Sequence, residues 1–112
     1  PSIDVAEAMH KLRSLRASYL KRVAGYDAVL MPTTPITPPA IAPLEADSAA
    51  YAKANISALY NTRLGNLLTL SSLTLPAGQT GGLPVGLMMF GLPKRENALL
   101  RNGSGIEKAL AS

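Results

Sequence analysis

Two kinds of side chain in this sequence could take part in covalent chemistry, the hydroxyls of a serine pair and one imidazole. Ser71-Ser72 offers hydroxyl nucleophiles, which need a neighbouring base. The single histidine, His10, lies far upstream on a predicted helix, and no lysine stands close to the serines in sequence. The pair therefore predicts a helix end followed by a strand, stabilised by local hydrogen bonds. His10 has no acid or second histidine positioned to complete a metal site, so no metal-binding residues are predicted.

Two glycine-containing segments resemble functional motifs but lack the required context. Asn102-Gly-Ser-Gly105 looks like a nucleophile elbow, which needs a strand before the serine and a helix after it. A helical pattern continues on both sides here, which favours a helix with small residues where another backbone packs closely. The run from Gly78 to Gly86 is rich in glycine, but a phosphate loop leads into a helix and carries a lysine. This run connects two apolar segments and predicts a hairpin turn.

Composition excludes several classes of protein. The chain has 112 residues, of which 47% are hydrophobic and 16% charged, with a formal net charge of +4. That apolar content is too high for a disordered chain. The absence of cysteine excludes disulfides, thiolate metal sites and cysteine nucleophiles. No apolar run approaches the roughly 20 residues of a membrane helix, and no signal-peptide pattern is seen, so we expect a cytoplasmic protein without a membrane partner.

The low charge fraction bears on possible partners. Small independent domains usually carry about a quarter charged residues, so this value favours a segment covered by more chain or by a partner, rather than an apolar-rich small domain. Five of the eleven basic residues fall on the first predicted helix, which could contact phosphates nonspecifically. No aromatic platform accompanies them. The pattern favours a solvated helix face and no nucleic-acid partner.

The first third of the chain predicts a helix, a strand and a long connection. Helical spacing of apolar residues predicts a helix from about Val5 to Ala24, with Asp4 as N-cap paired to Glu7 and Gly25 as the stop. Its apolar stripe comprises Val5, Met9, Leu12, Leu15, Tyr19 and Val23. A buried strand should follow over residues 27–31. The five prolines of residues 32–43 predict an extended crossing, or else a rigid linker that would make the first 31 residues a separate unit.

The remaining chain predicts helices around a hairpin. A helical region begins near Asp47 or Ser48 and is broken at Gly65. A short strand over residues 73–75 ends at Pro76, a turn follows, and a second strand runs over residues 83–90. The closing helix covers residues 95–111. The expected inward faces are Ala49, Ala52, Ile56, Leu59 and Tyr60 in the middle region and Ala98, Leu99, Ile106 and Leu110 in the last helix.

This order of elements predicts an α/β fold with about three strands and three or four helices. Strands buried on both faces would leave a sheet edge exposed, which suggests that further chain completes the sheet. From the residues alone, no complete set of nucleophile, base and oxyanion donors is found.

The order of motifs resembles the C-terminal part of the amidase signature family. The segments that carry this resemblance are, in chain order, YDAVLMPTTP, NTRLGNLLTLSSLTLPAG, GLPVGLMMFG and a closing helix that ends in IEKAL. The resemblance covers Tyr26 to about Leu110 and is closest in character to carboxamide and allophanate hydrolases. It implies that residues 1–112 form one C-terminal segment of an amidase domain, with a helix over residues 1–25. The rest, residues 26–112, would supply part of a mixed-sheet α/β fold as a strand, a proline-rich crossing, a helix, a hairpin and a helix.

The resemblance also implies an activity and its location. The family hydrolyses linear amide C–N bonds through an acyl-enzyme, without a cofactor, using a Ser-Ser-Lys triad in a Gly/Ser-rich segment. That segment would precede the motifs found here and is absent from this sequence, so the resemblance implies no catalytic residue in this chain and an inactive isolated segment. The implied partners are the N-terminal part of the amidase chain and a small amide substrate, and a homo-oligomer is left open.

Two residues are implied as substrate contacts. Thr62 and Asn66 match the Thr and Asn positions of the family's helix beside the substrate pocket. Asn66 could equally be a helix cap that holds a turn at Gly65. Where amidotransferase members tend to carry an acid, about three residues before the Thr, this chain has Leu59, which argues against a glutamine-using enzyme. The alternative to the amidase segment is a free-standing, non-catalytic protein-interaction module that binds through its open sheet edge.

Overall fold

Three antiparallel strands form the centre of the computed structural model, which describes residues 2–111. Strand β3 is central, with β1 and β2 on either side in the order β1-β3-β2. The elements in chain order are α1 (Ser2–Val23), β1 (Ala28–Pro32), α2 (Ile41–Ala46), α3 (Ser48–Ala58), α4 (Thr62–Leu68), β2 (Ser72–Thr80), β3 (Leu83–Gly91) and α5 (Glu96–Leu110). The α/β fold with three strands is confirmed, and residues 2–111 hold five helices where three or four were expected. No helix in this range is both long enough and apolar enough to cross a membrane.

The extra helix lies in the proline-rich region. Helix α2 contains Pro43, and the prediction that extended chain continues to this residue was wrong. Pro43 is the third residue of the helix, where a backbone N–H has no partner inside the helix, so a proline costs no hydrogen bond there. Asp47 then caps α3, because its Oδ1 accepts hydrogen bonds from the N–H groups of Ala49 and Ala50 at 2.8 and 3.2 Å. The expected start of this helix is confirmed.

The break between the middle helices is not at Gly65. Helix α3 ends at Ala58 and α4 begins at Thr62, so Gly65 lies inside α4 and is buried. An ideal Cβ on Gly65 would lie 2.7 Å from Cε1 of Phe90. The glycine therefore allows α4 to approach β3, and it does not break the helix.

One face of the sheet packs against α5. Leu75, Met89 and Leu99 form the buried cluster, with Ala28, Leu73 and Ile106 packed around it. Gly103 lies against Leu73, with 3.0 Å between an ideal Cβ and Cδ2 of the leucine. The close contact expected at the Asn102-Gly-Ser-Gly105 segment is therefore present, although a side chain and not another backbone makes it. Leu110, expected to face inward, is exposed.

The opposite face of the sheet packs against α4 and part of α1. Phe90 is 2% exposed under Gly65. Arg16 of α1 donates a 2.8 Å hydrogen bond from Nε to the carbonyl oxygen of Leu68, the last residue of α4. A cation at a helix C-terminus also interacts favourably with the helix dipole. This bond attaches α1 to the layer formed by α4.

Helix α1 starts earlier than expected and buries less. It begins at Ser2, so Asp4 lies in its first turn and does not cap it, and the predicted pairing with Glu7 was wrong. Val5 and Leu15 of the predicted stripe are exposed by 63% and 52%. The expected inward face of α3 and the following turn is also exposed, at Ala49, Ala52, Ile56, Leu59 and Tyr60. These surfaces are apolar by sequence, and nothing in residues 2–111 covers them.

The hairpin is longer than the sequence indicated. Strand β2 continues through Pro76 to Thr80, where Gly81 and Gly82, with φ of +56° and +77°, form the turn. Pro76 is tolerated because β2 is an edge strand, so its missing N–H interrupts no second neighbour. Pro76 pairs with Gly86 and Gln79 with Pro84, so Ala77 and Gly78 lie opposite Val85 alone. This extra residue is a β-bulge, and Gly78 adopts φ of +97° within it.

Strand β1 is an edge strand and not fully buried. It pairs with β3 from Ala28↔Gly91 to Pro32↔Leu87, and Leu30 is 48% exposed. The prediction of a buried strand was wrong because no element of residues 2–111 pairs with the other side of β1.

Candidate functional site

The chain that leaves β1 borders a cavity of about 570 Å³ at the hairpin end of the sheet. We call it the proline cavity. Three parts of the chain line it: residues 32 and 34–39 on one side, Ala58 at the end of α3, and Ala77, Thr80 and residues 84–87 of the hairpin. Its volume falls in the range of sites for small molecules, about 300–1,000 Å³.

The walls of the proline cavity are held by backbone constraints. Prolines at positions 32, 35, 38, 39 and 84 each fix φ. The N–H of Thr33 donates a 2.9 Å hydrogen bond to the carbonyl oxygen of Gly86, which extends the pairing of β1 with β3 by one residue. Asn61 Nδ2 donates a 2.8 Å hydrogen bond to the carbonyl oxygen of Pro32. The start of the proline-rich segment is therefore tied to both the sheet and the α3–α4 junction.

Close packing beneath the cavity requires a glycine. An ideal Cβ on Gly86 would lie 2.7 Å from Oγ1 of Thr33 and 2.7 Å from Cγ2 of Thr74. The Oγ1 atom of Thr33 in turn donates to Oγ1 of Thr74 at 3.2 Å. The two threonines thus lie across β3 from each other, with Gly86 between them.

The lining of the cavity is apolar with a few hydroxyls. Thr34, Thr37 and Thr80 supply the hydroxyl groups, and none of the lining side chains is ionisable. The Oγ1 atom of Thr34 donates to the carbonyl oxygen of Ile36 at 3.1 Å. A hydroxyl without a base is a poor nucleophile, so these residues can bind and orient a molecule but offer no acid–base chemistry.

The two predicted substrate contacts lie on α4, outside the cavity lining. Thr62 is half-buried, and its Oγ1 donates a 3.0 Å hydrogen bond to the carbonyl oxygen of Leu59. Asn66 is exposed one turn later, on the same side of the helix. Asn66 is inside α4, so the alternative of a cap beside a turn at Gly65 was wrong. Their role as substrate contacts stays a prediction.

The serine pair makes a contact that the sequence did not reveal. Ser72 opens β2 as expected. Ser71 Oγ donates a 2.8 Å hydrogen bond to Oε1 of Glu96, at the start of α5, so its bond is long-range and not local. Hydrogen bonds from the backbone N–H of Glu96 and from Ser71 hold the pKa of this exposed carboxyl below its ordinary value. A carboxylate with a lowered pKa is a weaker base, so the pair is poorly suited to activate a serine.

The other ionisable groups singled out earlier also lie away from the cavity. His10 is exposed on α1. Burial raises the pKa of Tyr19, which lies on the same helix. Within residues 2–111, no three His, Cys, Asp or Glu side chains are close enough together to hold a metal ion.

Sequence reasoning missed the proline cavity itself. Its lining joins residues from three separated segments, and their approach depends on Asn61 reaching Pro32 and on the hairpin extending past Pro76. The repeated prolines and threonines of residues 32–39 were visible in the sequence. They indicated an extended chain but gave no information about what it faces.

Comparison with known proteins identifies the family. The sequence profile described as Amidase matches residues 2–100. The chain is 39% identical over 82 residues to a 2-amino-5-chloromuconic acid deaminase of Comamonas testosteroni, covering 72% of this chain and 18% of that protein. It is 31% identical over 107 residues to an enantioselective amidase of Rhodococcus rhodochrous, covering 96% of this chain and 21% of that protein.

A solved structure shows the same fold. The crystal structure of a glutamyl-tRNA(Gln) amidotransferase subunit from Thermotoga maritima matches with a TM-score of 0.71 and 27% identity, over 87% of this chain and 20% of that one. The chain thus spans about a fifth of the length of each of these three proteins. The profile match over residues 2–100, together with this shared fold, shows that the chain belongs to the amidase family.

Proposed function

We propose that this chain is the C-terminal, non-catalytic segment of an amidase that hydrolyses a linear amide C–N bond through an acyl-enzyme. The Ser-Ser-Lys triad would lie in chain N-terminal to it, and the parent enzyme would be a cytoplasmic carboxamide or allophanate hydrolase. The observation that carries the proposal is the family match over residues 2–100 in a chain that spans about a fifth of its relatives.

The described residues support a non-catalytic role. Ser71, the one serine of the pair that contacts a carboxylate, donates to an exposed Glu96 whose pKa is lowered. The proline cavity has hydroxyls but no ionisable group in its lining. Neither place combines a nucleophile, a base and oxyanion donors, as amide hydrolysis by acyl transfer requires.

The exposed apolar surfaces support a segment that continues into a larger enzyme. Val5 and Leu15 on α1, Ile56 on α3 and Tyr60 between α3 and α4 are each more than half exposed. Surfaces of this kind usually mark an interaction site or the contact with more chain. In the proposed enzyme the N-terminal part covers these surfaces, and Thr62 and Asn66 contact the amide substrate from α4.

The same surfaces also favour one alternative, a free-standing module that binds another protein. The amidase proposal and this alternative predict different masses for the natural polypeptide. Intact mass measured under denaturing conditions, on protein from its own source, should exceed 11.7 kDa for an amidase. Assays on simple carboxamides should then show hydrolysis that is lost when the upstream serine or lysine is replaced.

Two results would contradict the proposal. Amide hydrolysis that survives replacement of the upstream serine and lysine would place catalysis elsewhere. A natural polypeptide of 11.7 kDa that is folded and carries a defined protein partner would instead establish the interaction module.

A further inference from the structure

We infer that a strand from the N-terminal part of the proposed enzyme pairs with the free side of β1 at Ala28 and Leu30, and that its side chains fill a groove between β1 and α5. That such an N-terminal part exists rests on the proposed function. The position of the added strand follows from the hydrogen bonds and the packing of this chain.

The backbone of β1 alternates in direction between β3 and the outside. The N–H of Thr33, directly after β1, donates to the carbonyl oxygen of Gly86 at 2.9 Å. Residues two apart on a strand bond in the same direction, so residues 29 and 31 also bond toward β3. The N–H and C=O groups of residues 28 and 30 therefore point away from β3.

A hydrogen bond on the other side of β3 agrees with this alternation. The N–H of Gly91 donates at 2.9 Å to the carbonyl oxygen of Ser71, away from β1. Gly91 is the partner of Ala28, so these two residues exchange no hydrogen bonds and Ala28 is directed outward. No strand of residues 2–111 pairs with this outer side of β1. Such a free edge can accept a further strand.

Pro32 limits how far the new pairing extends. It points outward like residues 28 and 30, but a proline has no N–H. Its carbonyl oxygen already accepts the 2.8 Å hydrogen bond from Nδ2 of Asn61. The free edge of β1 is therefore confined to residues 28 and 30, each with one N–H and one C=O group.

This short edge favours a strand of the same polypeptide over a separate molecule. A second copy or another protein must offset the loss of translational and rotational freedom, and a few backbone hydrogen bonds contribute too little to do so. A strand in the same polypeptide avoids most of this cost. The chain spans 18% and 21% of the two bacterial relatives, so about four-fifths of their length is available to supply the strand.

A groove of about 550 Å³ lies beside the free edge, on the α5 side of the sheet. Helix α5 packs mainly over β2 and β3, and Leu30 on β1 stays 48% exposed. Ala28, Leu30 and Met89 line the groove from the sheet, and Arg101 and Asn102 line it from α5. A strand beside β1 directs every second side chain to this face. We therefore expect apolar residues at those positions of the added strand.

The test is amide hydrogen exchange in the protein of natural length, measured residue by residue with NMR. Residues 29 and 31 bond to β3 and are the internal reference. We expect residues 28 and 30 to exchange at least about a hundredfold more slowly than in an unstructured peptide, because a paired strand protects them. Amide–amide NOEs from Leu30 should lead to a residue that precedes the 112 residues of this chain.

A pair of variants tests whether the groove and the edge are filled together. Leu30→Asp places a charge against apolar side chains of the added strand, so exchange of the Ala28 N–H should accelerate by about tenfold or more. Leu100→Asp is the control, because Leu100 is also exposed but lies on α5 outside the groove. It should leave Ala28 exchange unchanged, and equal Ala28 exchange in the two variants would contradict the inference.

The outcomes separate this inference from the proposed function. Fast exchange at residues 28 and 30 beside slow exchange at residues 29 and 31 would overturn the inference even in an enzyme that hydrolyses amides. NOEs from Leu30 that lead only to this segment, to a second copy or to another protein would overturn it too. A natural polypeptide of 11.7 kDa would reject the proposed function and the inference together, and the mass alone identifies that case.

Discussion

Gly65 and Phe90 set the distance between helix α4 and the central strand. An ideal Cβ at position 65 would lie 2.7 Å from Cε1 of Phe90, and that ring is almost fully buried. Because the ring is enclosed on its other sides, it has little room to move away. The contact fixes how closely the layer containing Thr62 and Asn66 lies against the sheet.

We therefore expect Gly65→Ala to lower the free energy of unfolding by about 1–3 kcal/mol, the usual cost of overpacking. Gly105→Ala is the matched control, since Gly105 also lies in a helix but has open space around it. The control should raise stability by up to about 1 kcal/mol through helix propensity. Urea unfolding followed by circular dichroism measures both, and equal effects of the two variants would contradict the close contact.

The Ser71–Glu96 bond predicts a pH dependence. The pKa of Glu96 is lowered in the folded state, first by its own backbone N–H and then by Ser71. A depressed pKa means that the contribution to stability is present above the ordinary pKa and is lost as pH falls through the folded-state value. Ser71→Ala should raise the Glu96 pKa part of the way to its ordinary value, because the backbone hydrogen bond remains.

The direct measurement is the NMR titration of the Glu96 side-chain carboxyl carbon in the wild type and in Ser71→Ala. Ser104→Ala, at an exposed serine of α5, is the control and should leave the titration unchanged. A Glu96 titration that is the same in wild type and Ser71→Ala would show that the hydroxyl bond does not contribute.

Thr69 ends α4 in an unfavourable backbone conformation. Its φ is 52° and its ψ is 58°, the left-handed region, where a β-branched residue is rare. The N–H groups of Thr69 and Leu70 bond to the carbonyl oxygens of Asn66 and Gly65 at 3.4 and 2.9 Å, an arrangement that usually has glycine at this position.

Thr69→Gly should consequently stabilise the protein by about 1 kcal/mol, because glycine avoids the cost of the left-handed region. Ala111→Gly is the control at a helix end with ordinary right-handed geometry, and it should give no gain. Thermal unfolding of the two variants compares them. A loss of stability in Thr69→Gly would indicate that contacts of the threonine side chain outweigh the backbone cost.

Asn61 controls the wall of the proline cavity. Its side chain bonds to the carbonyl oxygen of Pro32 at 2.8 Å, so Asn61→Ala should cost about 1 kcal/mol and loosen residues 32–39. Hydrogen exchange of the Thr33 N–H, which bonds to Gly86, should accelerate. Asn55→Ala, at an exposed position of α3, should leave this exchange rate unchanged. If the rate is also unchanged in Asn61→Ala, the wall is held by the sheet alone.

Local sequence patterns predicted the elements whose determinants are close in sequence. Asp47 caps α3 through neighbouring N–H groups, and Gly81-Gly82 forms the turn between two apolar runs. These features depend on residues within a few positions of each other. The predicted strand over residues 83–90 also agrees with β3 to within one residue. An apolar run of this length between glycines leaves few other positions for the ends of a strand.

The errors arise where the decisive neighbour is distant. A proline would end a central strand but is tolerated in an edge strand. Only the strand order shows that Pro76 lies in an edge strand. The sequence alone indicates a helix break at Gly65, because only the fold shows that Phe90 lies against it. The burial of α1 was overestimated because a periodic apolar stripe indicates a contact surface but does not identify what covers it. The proline cavity was missed for the same reason.

The bulge in β2 has a further consequence for the geometry of this site. Ala77 and Thr80 both line the cavity, although residues three apart on a regular strand point to opposite faces. The additional residue opposite Val85 shifts the alternation by one position, so that both side chains point the same way. Insertion of one residue beside Val85 would give Ala77 and Gly78 a partner each, restore strict alternation and turn Thr80 away from the cavity, with Gln79 in its place. The hairpin therefore encodes the identity of the wall by the number of residues it contains as well as by their type.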